Sequence, residues 1–398
     1  MKTKMTNQSN PIIIIDSTLF FNNSGAESLY LSIFLTSLLL LLYTYIFYPY
    51  IIRLISFFIG TDIHRKEFYP RVSMIISAYN EKEAIEAKIV NSLSLDYPLD
   101  NMQIIIASDC SNDGTDEIVL KYQKHGVKLA RLPERGGKTA AQNYASDFAN
   151  GEILIFTDAK AILDKQAIKS LVRNFDDKSI GCAGGRLVWK GALDNSKNTV
   201  EIFDQNIKEI ESRIYSTIGV DGCIYAIRKT VFEKIPENLT SDLVLPLLIV
   251  RKGYRTVFEK DAICFVKTVE HEEFEFKRKI RTVRAGLFGI YYNRKLLNPF
   301  KYPQLSFFII SKKILRWMTP IFLSLIFITN AVLLKYQNIL FYTTFMMQVI
   351  FYTFALSGIK LSLKIFQIPF RFSFLAIAAI VGWYQFITGV NVEIWERE

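Results

Sequence analysis

Charged and polar side chains follow four short apolar runs in the first half of this 398-residue chain. The four turns read A-Y-N-E at 78–81, S-D-C-S-N-D-G-T at 108–115, E-R-G-G-K at 134–138 and D-A-K at 158–160. Carboxylates can accept hydrogen bonds, bind hard cations or take up protons. A lysine that follows two glycines at the start of a helix suits phosphate, since backbone N–H groups and the ammonium both attract anions. We therefore expect the chemistry of this protein at these turns.

The elements that position these turns form a regular alternation. The apolar runs predict β-strands at 72–77, 103–107, 127–131 and 153–157, and helical segments follow at 82–93, 115–125 and 138–150. Such alternation is typical of a mostly parallel sheet with helices on its faces. Ligands bind at the carboxyl ends of the strands in these sheets, so the four turns should meet at one edge. Asp113 and Thr115 also suit simple turn and capping roles.

The apolar residues outside this region are concentrated at the two ends of the chain. Half of the residues are hydrophobic, the mean hydropathy is +0.19, and this composition excludes a disordered protein. Residues 30–54 form an apolar stretch long enough to span a bilayer, without the cleavage site of a signal peptide. We predict a transmembrane helix there and three more within 318–398, at 318–334, 339–358 and 374–390. Buried core helices are the alternative.

Charge indicates the orientation of these helices. Basic residues follow the first predicted span and precede the next, so the positive-inside rule places residues 71–302 in the cytoplasm and 1–29 outside. We therefore predict a multi-pass protein of the plasma or inner membrane with a cytoplasmic catalytic domain. Residues 303–317 mix Lys312, Lys313 and Arg316 with apolar residues, a pattern typical of an amphipathic helix at the membrane interface.

The net charge and the Cys and His content indicate which partners and metal sites to expect. Lys and Arg exceed Asp and Glu by 48 to 38, a net charge of +10 that suits anionic lipids or an anionic substrate. Zinc-finger spacing and RNP-type motifs are absent from the sequence, so we expect no nucleic acid partner. The four Cys show no C-x-x-C spacing and the three His are far apart, which argues against disulfides and a His-built zinc site.

From about residue 72 to 284, the order of motifs resembles that of a family 2 glycosyltransferase of the GT-A fold, in its membrane-embedded polysaccharide-synthase-like branch. The resemblance rests on the first two turns and on G-G-K-T-A-A-Q-N at 136–143, T-D-A at 157–159, G-C-I-Y-A-I-R at 222–228, S-D-L-V-L-P-L at 241–247, K-G-Y-R at 252–255 and R-K-I-R-T-V-R at 278–284. It implies an α/β, Rossmann-like, mostly parallel sheet domain at 71–302, flanked by transmembrane helices. It also implies transfer of a sugar from a nucleotide-sugar, foremost a UDP-sugar, to a glycan or lipid-linked acceptor. The reaction would invert the anomeric centre and serve cell-surface polysaccharide synthesis.

The resemblance assigns a nucleotide pocket to the first turns. Ala78, Tyr79 and Glu81 would line it, and Asp109 would accept a hydrogen bond from the uracil or ribose of the donor. Lys138 would contact the donor phosphates. Capping by Asp109 and ordinary packing by Tyr79 remain alternatives.

Asp158 is the predicted metal ligand and a further nucleotide-sugar-binding residue. The family signature D-x-D would hold Mg²⁺ or Mn²⁺, which neutralises the charge of the diphosphate leaving group. Here the third position is Lys160, and an ammonium has no lone pair for a metal. Two possibilities stay open: Asp158 binds the metal together with phosphate and water, or Lys160 itself contacts phosphate and reduces the need for metal. Asp158 could also cap a helix.

The resemblance places the catalytic base at Asp242 and a phosphate-binding region at 278–284. Asp242 would accept the proton of the acceptor hydroxyl, although capping of a helix at 243–252 remains an alternative. Arg278, Arg281 and Arg284 share one predicted helical face and suit bidentate contacts with the diphosphate or the acceptor. Alternatively, these three arginines form a basic face that contacts anionic lipid headgroups.

Other functions remain open. One is an enzyme that adds a single sugar to a polyprenyl phosphate. Another is a catalytically inactive nucleotide-sugar-binding regulator, favoured by Lys160 and Ser241 but opposed by the retained Asp109, Asp158 and Asp242. The large polar insert disfavours a transporter. Membrane lipids, and a second copy or other channel partner, are the remaining predicted partners.

Overall fold

The computed structural model describes residues 25–191, 196–267, 272–361 and 363–389. Most of the predicted extracytoplasmic segment 1–29 therefore lies outside the described residues. The chain divides into two compact units. One consists of Met1–Leu42 and Ile321–Phe370, the other of Tyr43–Pro320 and Arg371–Glu398.

A single eight-stranded sheet forms the centre of the second unit. In chain order its strands are β1 (Val72–Ala78), β2 (Met102–Ser108), β3 (Val127–Arg131), β4 (Ile153–Asp158), β5 (Ile162–Leu163), β6 (Ile180–Lys190), β7 (Ile224–Arg228) and β8 (Arg255–Lys267). Their spatial order is β3-β2-β1-β4-β7-β6-β8-β5. The pairs β1–β2, β2–β3, β1–β4 and β6–β8 are parallel, whereas β7 pairs antiparallel with β4 and β6, and β5 with β8. The predicted α/β, mostly parallel sheet is confirmed.

Helices connect and flank the strands. In chain order they are α1 (Gly25–Leu42), α2 (Tyr48–Ile59), α3 (Ile85–Leu93), α4 (Thr115–Lys121), α5 (Lys138–Ser146), α6 (Ala167–Val172), α7 (Ser196–Ile214), α8 (Ser241–Arg251), α9 (Glu272–Tyr292), α10 (Pro303–Phe308), α11 (Leu315–Trp317), α12 (Thr319–Leu333), α13 (Ile339–Ser357) and α14 (Lys364–Ile387). Two π-helical segments, Tyr43–Phe47 and Ile309–Ile314, join α1 to α2 and α10 to α11.

The sheet is buried on both faces, because successive side chains of a strand point to opposite sides. On one side Met74 and Ile104 belong to a core with α3 and α6. On the other side Ile75, Ile105 and Phe156 pack with α5 and α8. Strands covered on both faces read as continuous apolar runs, which is why the sequence predicts β1 to β4 within one residue at each end.

Within the part of the chain that the structure describes, four helices are long and apolar enough to cross a membrane: Glu27–Ile59, Thr319–Tyr336, Ile339–Ser357 and Lys364–Ile387. They correspond to the four predicted spans, and the last begins ten residues before the predicted start at 374, so that Lys364 and Arg371 lie within the helix. The predicted end of this span at 390 lies outside the described residues. In the first unit, Phe34, Ile326 and Phe341 form a small apolar core. The orientation of these helices in a membrane stays a prediction.

The predicted interfacial segment 303–317 is helical, but its cations do not share one solvent-facing side. Lys312 is 5% exposed and forms ion pairs with Asp204 and Glu211 of α7 at 3.7 and 3.3 Å. The π-helical turn shifts the register of the side chains relative to a regular helix. One face of this segment is therefore fixed to α7 within the second unit.

Candidate active site

The first turns meet at one edge of the sheet, as expected. Ala78 is the last residue of β1 and pairs with Ser108 of β2, while Ser77 pairs with Asp158 of β4. These strands are parallel, so their carboxyl ends lie side by side. Ala78, Asp109 and Asp158 are thus brought to the same place.

Asp109 holds the glycine turn that precedes α5. Its Oδ1 accepts hydrogen bonds from the backbone N–H groups of Gly136 and Gly137 at 2.8 and 2.9 Å, and the side chain is buried. Gly137 has a φ of +90°, a conformation that L side chains rarely adopt. The carboxylate therefore fixes the turn from which Lys138 extends. Contact between Asp109 and a donor nucleotide stays a prediction.

Lys138, Asp158 and Asp242 form the centre of the site. Lys138 Nζ lies 2.5 Å from Asp158 Oδ1 and donates a hydrogen bond to the Gly222 carbonyl at 3.1 Å. A Cβ at Gly222 would lie 2.9 Å from Asp242 Oδ2 and 3.3 Å from Lys138 Nζ, so a larger residue there would displace these two side chains. Lys138 and Asp158 keep about a third of their side-chain surface exposed, at 33% and 37%, so a ligand can reach both.

Asp242 lies in the first turn of α8, and it is not the cap of that helix. The helix begins at Ser241, and the capping position is Thr240. Desolvation raises the pKa of the Asp242 carboxyl, Lys138 opposes this, and the carboxylates of Asp158 and Asp221 raise the pKa further. A carboxyl with a raised pKa is a better proton acceptor than an ordinary aspartate, which suits a general base.

Tyr79 and Glu81 occupy the rim of the site. The Arg135 guanidinium lies over the Tyr79 ring, with Cζ 4.1 Å from the ring centroid. The Glu81 carboxylate is buried and pairs with Lys160 at 3.4 Å. Asp113 accepts hydrogen bonds from the backbone N–H groups of Lys82 and Thr115, which is the turn role that the sequence allowed.

The three predicted phosphate-binding arginines have different surroundings. Arg278 lies over Trp189, with Cζ 5.2 Å from the ring centroid, and pairs with Glu275 at 3.7 Å. Arg284 is 7% exposed and donates to Gln385 of α14. Arg281 lies on the same helix and is partly buried. Contacts of these three side chains with a diphosphate, an acceptor or lipid stay predictions.

Sequence reasoning missed Lys88 of α3. Its side chain is fully buried beneath the turn that carries Asp158, and Nζ donates to Thr157 Oγ1 at 3.0 Å and to the Ala161 carbonyl at 2.5 Å. Lys88 lies between Ile85 and Ile89 on the buried face of the helix. A lysine inside an apolar stripe is the signal that could have identified it.

Asp221 was also missed. It follows Gly219 and Val220 in the chain, and its Oδ1 pairs with Lys208 of α7 at 2.7 Å. The neighbouring Val220 N–H donates to the Asp242 carbonyl at 3.0 Å. The loop 219–222 is therefore tied to both α7 and α8 beside the base.

The residues do not form a metal cage. Within the described ranges there is no group of three His, Cys, Asp or Glu side chains that could hold a metal ion. The third position of the D-x-D pattern is an ammonium, and the Asp158 carboxylate is already paired with Lys138. The donor set thus does not fit the divalent cation that the resemblance predicts.

Comparison with known proteins identifies the sheet region. The sequence profile of the family described as Glycosyl transferase family 2 matches residues 73–236. These residues form a family 2 glycosyltransferase domain. The profile ends before Asp242 and before the helices of the C-terminal third.

Curated relatives resemble a larger part of the chain. The probable glycosyltransferase YdaM of Bacillus subtilis is 26% identical over 241 residues, which are 56% of this chain and 56% of that protein. A poly-beta-1,6-N-acetyl-D-glucosamine synthase of Staphylococcus epidermidis is 24% identical over 286 residues, 68% of this chain and 67% of that protein. The chain thus spans little more than half the length of the first relative.

A solved structure confirms the fold beyond the glycosyltransferase domain. The mannosyltransferase PcManGT of Pyrobaculum calidifontis, solved in complex with GDP-Man and Mn²⁺, superposes with a TM-score of 0.71 at 18% identity. The match covers 92% of this chain and 99% of that one. The predicted GT-A fold is therefore confirmed, and the likeness extends to the apolar helices at both ends.

Proposed function

We propose that this protein is a membrane-bound glycosyltransferase that moves a sugar from a nucleoside-diphosphate-sugar to a glycan or lipid-linked acceptor. The observation that carries the proposal is the meeting of Lys138, Asp158 and Asp242 at the carboxyl edge of the glycosyltransferase domain. The Staphylococcus relative is named as a polysaccharide synthase, which supports a role in cell-surface polysaccharide synthesis. A UDP-sugar is the donor to test first.

The chemistry follows from the charges of these side chains. Asp242 accepts the proton of an acceptor hydroxyl as the hydroxyl oxygen bonds to the anomeric carbon. The bond between that carbon and the diphosphate oxygen breaks, and the diphosphate leaves with the electron pair. Lys138 stabilises the negative charge that develops on it. A single displacement of this kind inverts the anomeric centre.

The membrane side of the domain favours a second candidate, transfer of one sugar to a polyprenyl phosphate. Lys313 follows the buried Lys312 in the segment 303–317, and among the described residues it forms no ion pair. Burial lowers the pKa of Lys313 to about 8, and its charge acts on Asp242. A cation on this segment whose charge acts on the base suits the phosphate of a lipid acceptor.

Product analysis in lipid nanodiscs tests the proposal and separates the two candidates. The purified protein is incubated with a panel of UDP-sugars, GDP-mannose and a membrane lipid extract. We expect release of nucleoside diphosphate from one donor, with the sugar recovered in a glycan. A lipid carrying a single sugar would support the second candidate instead. Nucleotide binding without release from any donor, in the presence of the lipid extract, would contradict both and favour a regulator.

A further inference from the structure

The turn that holds Asp158 has a lysine at the one position where the family pattern has a second carboxylate, and two further lysines reach this turn from α3 and α5. Lys160 occupies the third position of D-x-D and pairs with Glu81 of the first turn at 3.4 Å. An ammonium donates hydrogen bonds and cannot ligate a cation. This position therefore attracts anionic oxygens and repels a metal ion.

Lys138 approaches the same carboxylate from α5. Its Nζ lies 2.5 Å from Asp158 Oδ1, in the place where a ligand of that carboxylate would be. A divalent cation bound there would have to displace the ammonium or share the oxygen with it. Two positive charges within a few ångström repel each other strongly in a partly desolvated site.

Lys88 adds a third ammonium from beneath the turn. The side chain is fully buried and holds Thr157 and Ala161, the residues on either side of Asp158 and Lys160. Among the described residues no carboxylate forms an ion pair with Lys88. Burial lowers its pKa to about 8, so the ammonium form still predominates at neutral pH. Three ammonium groups thus lie at or beneath this turn before any substrate binds.

We infer that Lys138 and Lys160, on a turn fixed by Lys88, compensate the charge of the donor diphosphate, so that donor binding and sugar transfer need no divalent metal ion. This inference rests on the proposed function. The leaving diphosphate carries the electron pair of the broken C1–O bond, and its negative oxygens accept hydrogen bonds from the two ammonium groups. Lys88 is a positioning residue, because it touches the turn and not the substrate.

Binding of UDP and GDP tests this inference without requiring turnover. Titration calorimetry on the full-length protein in nanodiscs compares EDTA with Mg²⁺ and with Mn²⁺. We expect the Kd of the better nucleotide to change by less than about threefold between these conditions. Transfer from the active donor should likewise survive EDTA.

Two substitutions at Lys160 sharpen the test. Lys160→Asp restores the D-x-D pattern, and we expect binding in EDTA to weaken about tenfold and to be regained with Mn²⁺. Lys160→Met should weaken binding without creating a response to metal. Lys165→Asp, an exposed position five residues further on, is the matched control and should behave as the wild type. Thermal unfolding of each variant verifies that it is folded.

The possible failures are distinguishable. Wild-type binding or transfer that EDTA abolishes and Mn²⁺ restores would overturn the inference and leave the proposed function intact. A Lys160→Asp variant that shows no new response to metal would also contradict it. No binding of either nucleotide in any condition would overturn the proposed function itself, and the inference with it.

Discussion

The proposed transfer depends first on the charge state of the Asp242 side chain. Burial and the carboxylates of Asp158 and Asp221 raise its pKa, whereas Lys138 and Lys313 lower it. The base acts only when deprotonated, so transfer should fall as the pH drops through this raised pKa. The acid limb of the pH profile should therefore lie above the ordinary aspartate value.

Asp221→Asn tests whether ionisation of Asp242 causes the acid limb of the pH profile. Removal of one carboxylate that raises the pKa of Asp242 should move the acid limb of kcat to lower pH. The measurement is a pH–rate profile at saturating donor, with the exposed Asp100→Asn as the control. An acid limb that stays at the same pH in Asp221→Asn would show that another group is responsible.

The sequence predicted some residues of this site and did not predict others. Asp109, Lys138 and Asp158 were found because they follow strands, and the sheet geometry brings strand ends together. Lys88 and Asp221 were not predicted, because their roles depend on contacts between elements that are distant in the chain. The apolar face around Lys88 indicates that this lysine is buried, but it does not show which turn the side chain contacts, and a lone aspartate in a loop carries no local pattern.

At the scale of elements, Pro246 explains how α8 presents the base. Proline has no backbone N–H, so the Asp242 carbonyl four residues earlier lacks its helical partner. The Val220 N–H donates to that carbonyl instead, at 3.0 Å. The proline therefore ties the loop 219–222 to the first turn of the helix, beside the base.

Pro246→Ala should separate activity from stability. The new N–H competes with Val220 for the Asp242 carbonyl, and we expect kcat to fall by about tenfold or more as the loop shifts. Stability should be unchanged or higher, because alanine favours the helix interior. Steady-state kinetics and thermal unfolding measure the two effects, with the exposed Arg251→Ala on the same helix as control. Wild-type kcat in Pro246→Ala would mean that the proline has no positioning role.

Element boundaries were predicted best where strands are apolar throughout. The helix predicted at 138–150 ends earlier, at Ser146, because Phe148 and Ala149 donate to carbonyls three residues back and tighten the last turn. The strand β6 was not predicted. A Cβ at Gly185 would lie 2.5 Å from the Ala262 carbonyl of β8, so this glycine permits close approach of two strands.

At the scale of the whole molecule, a buried ion network holds the second unit together. The Glu211 carboxylate of α7 is fully buried and accepts hydrogen bonds from Tyr48 of α2 at 3.0 Å and Thr217 at 3.1 Å. Lys312 pairs with it at 3.3 Å. One charged side chain thus joins an apolar helix, the segment 303–317 and the sheet-flanking helix. The sequence predicted amphipathic character at 303–317, but it could not show that Lys312 faces protein.

Glu211→Gln should destabilise this unit strongly, since it leaves the buried Lys312 without a full counter-charge. Breaking such a pair from one side costs about 3–5 kcal/mol. The control is Glu209→Gln on the same helix, whose pair with Lys260 is largely exposed and should contribute below about 1 kcal/mol. Thermal unfolding in nanodiscs compares the two variants. Equal melting temperatures for both would contradict a structural role for the network.

Sugar transfer by Asp242→Asn beside the wild type, with nucleotide binding measured on the same samples, tests whether Asp242 is the general base. We expect transfer to fall about 10²–10⁴-fold, as for loss of a general base, while the Kd for the nucleotide changes little. Transfer at the wild-type rate in a folded Asp242→Asn variant would contradict the assignment of the base and the mechanism built on it.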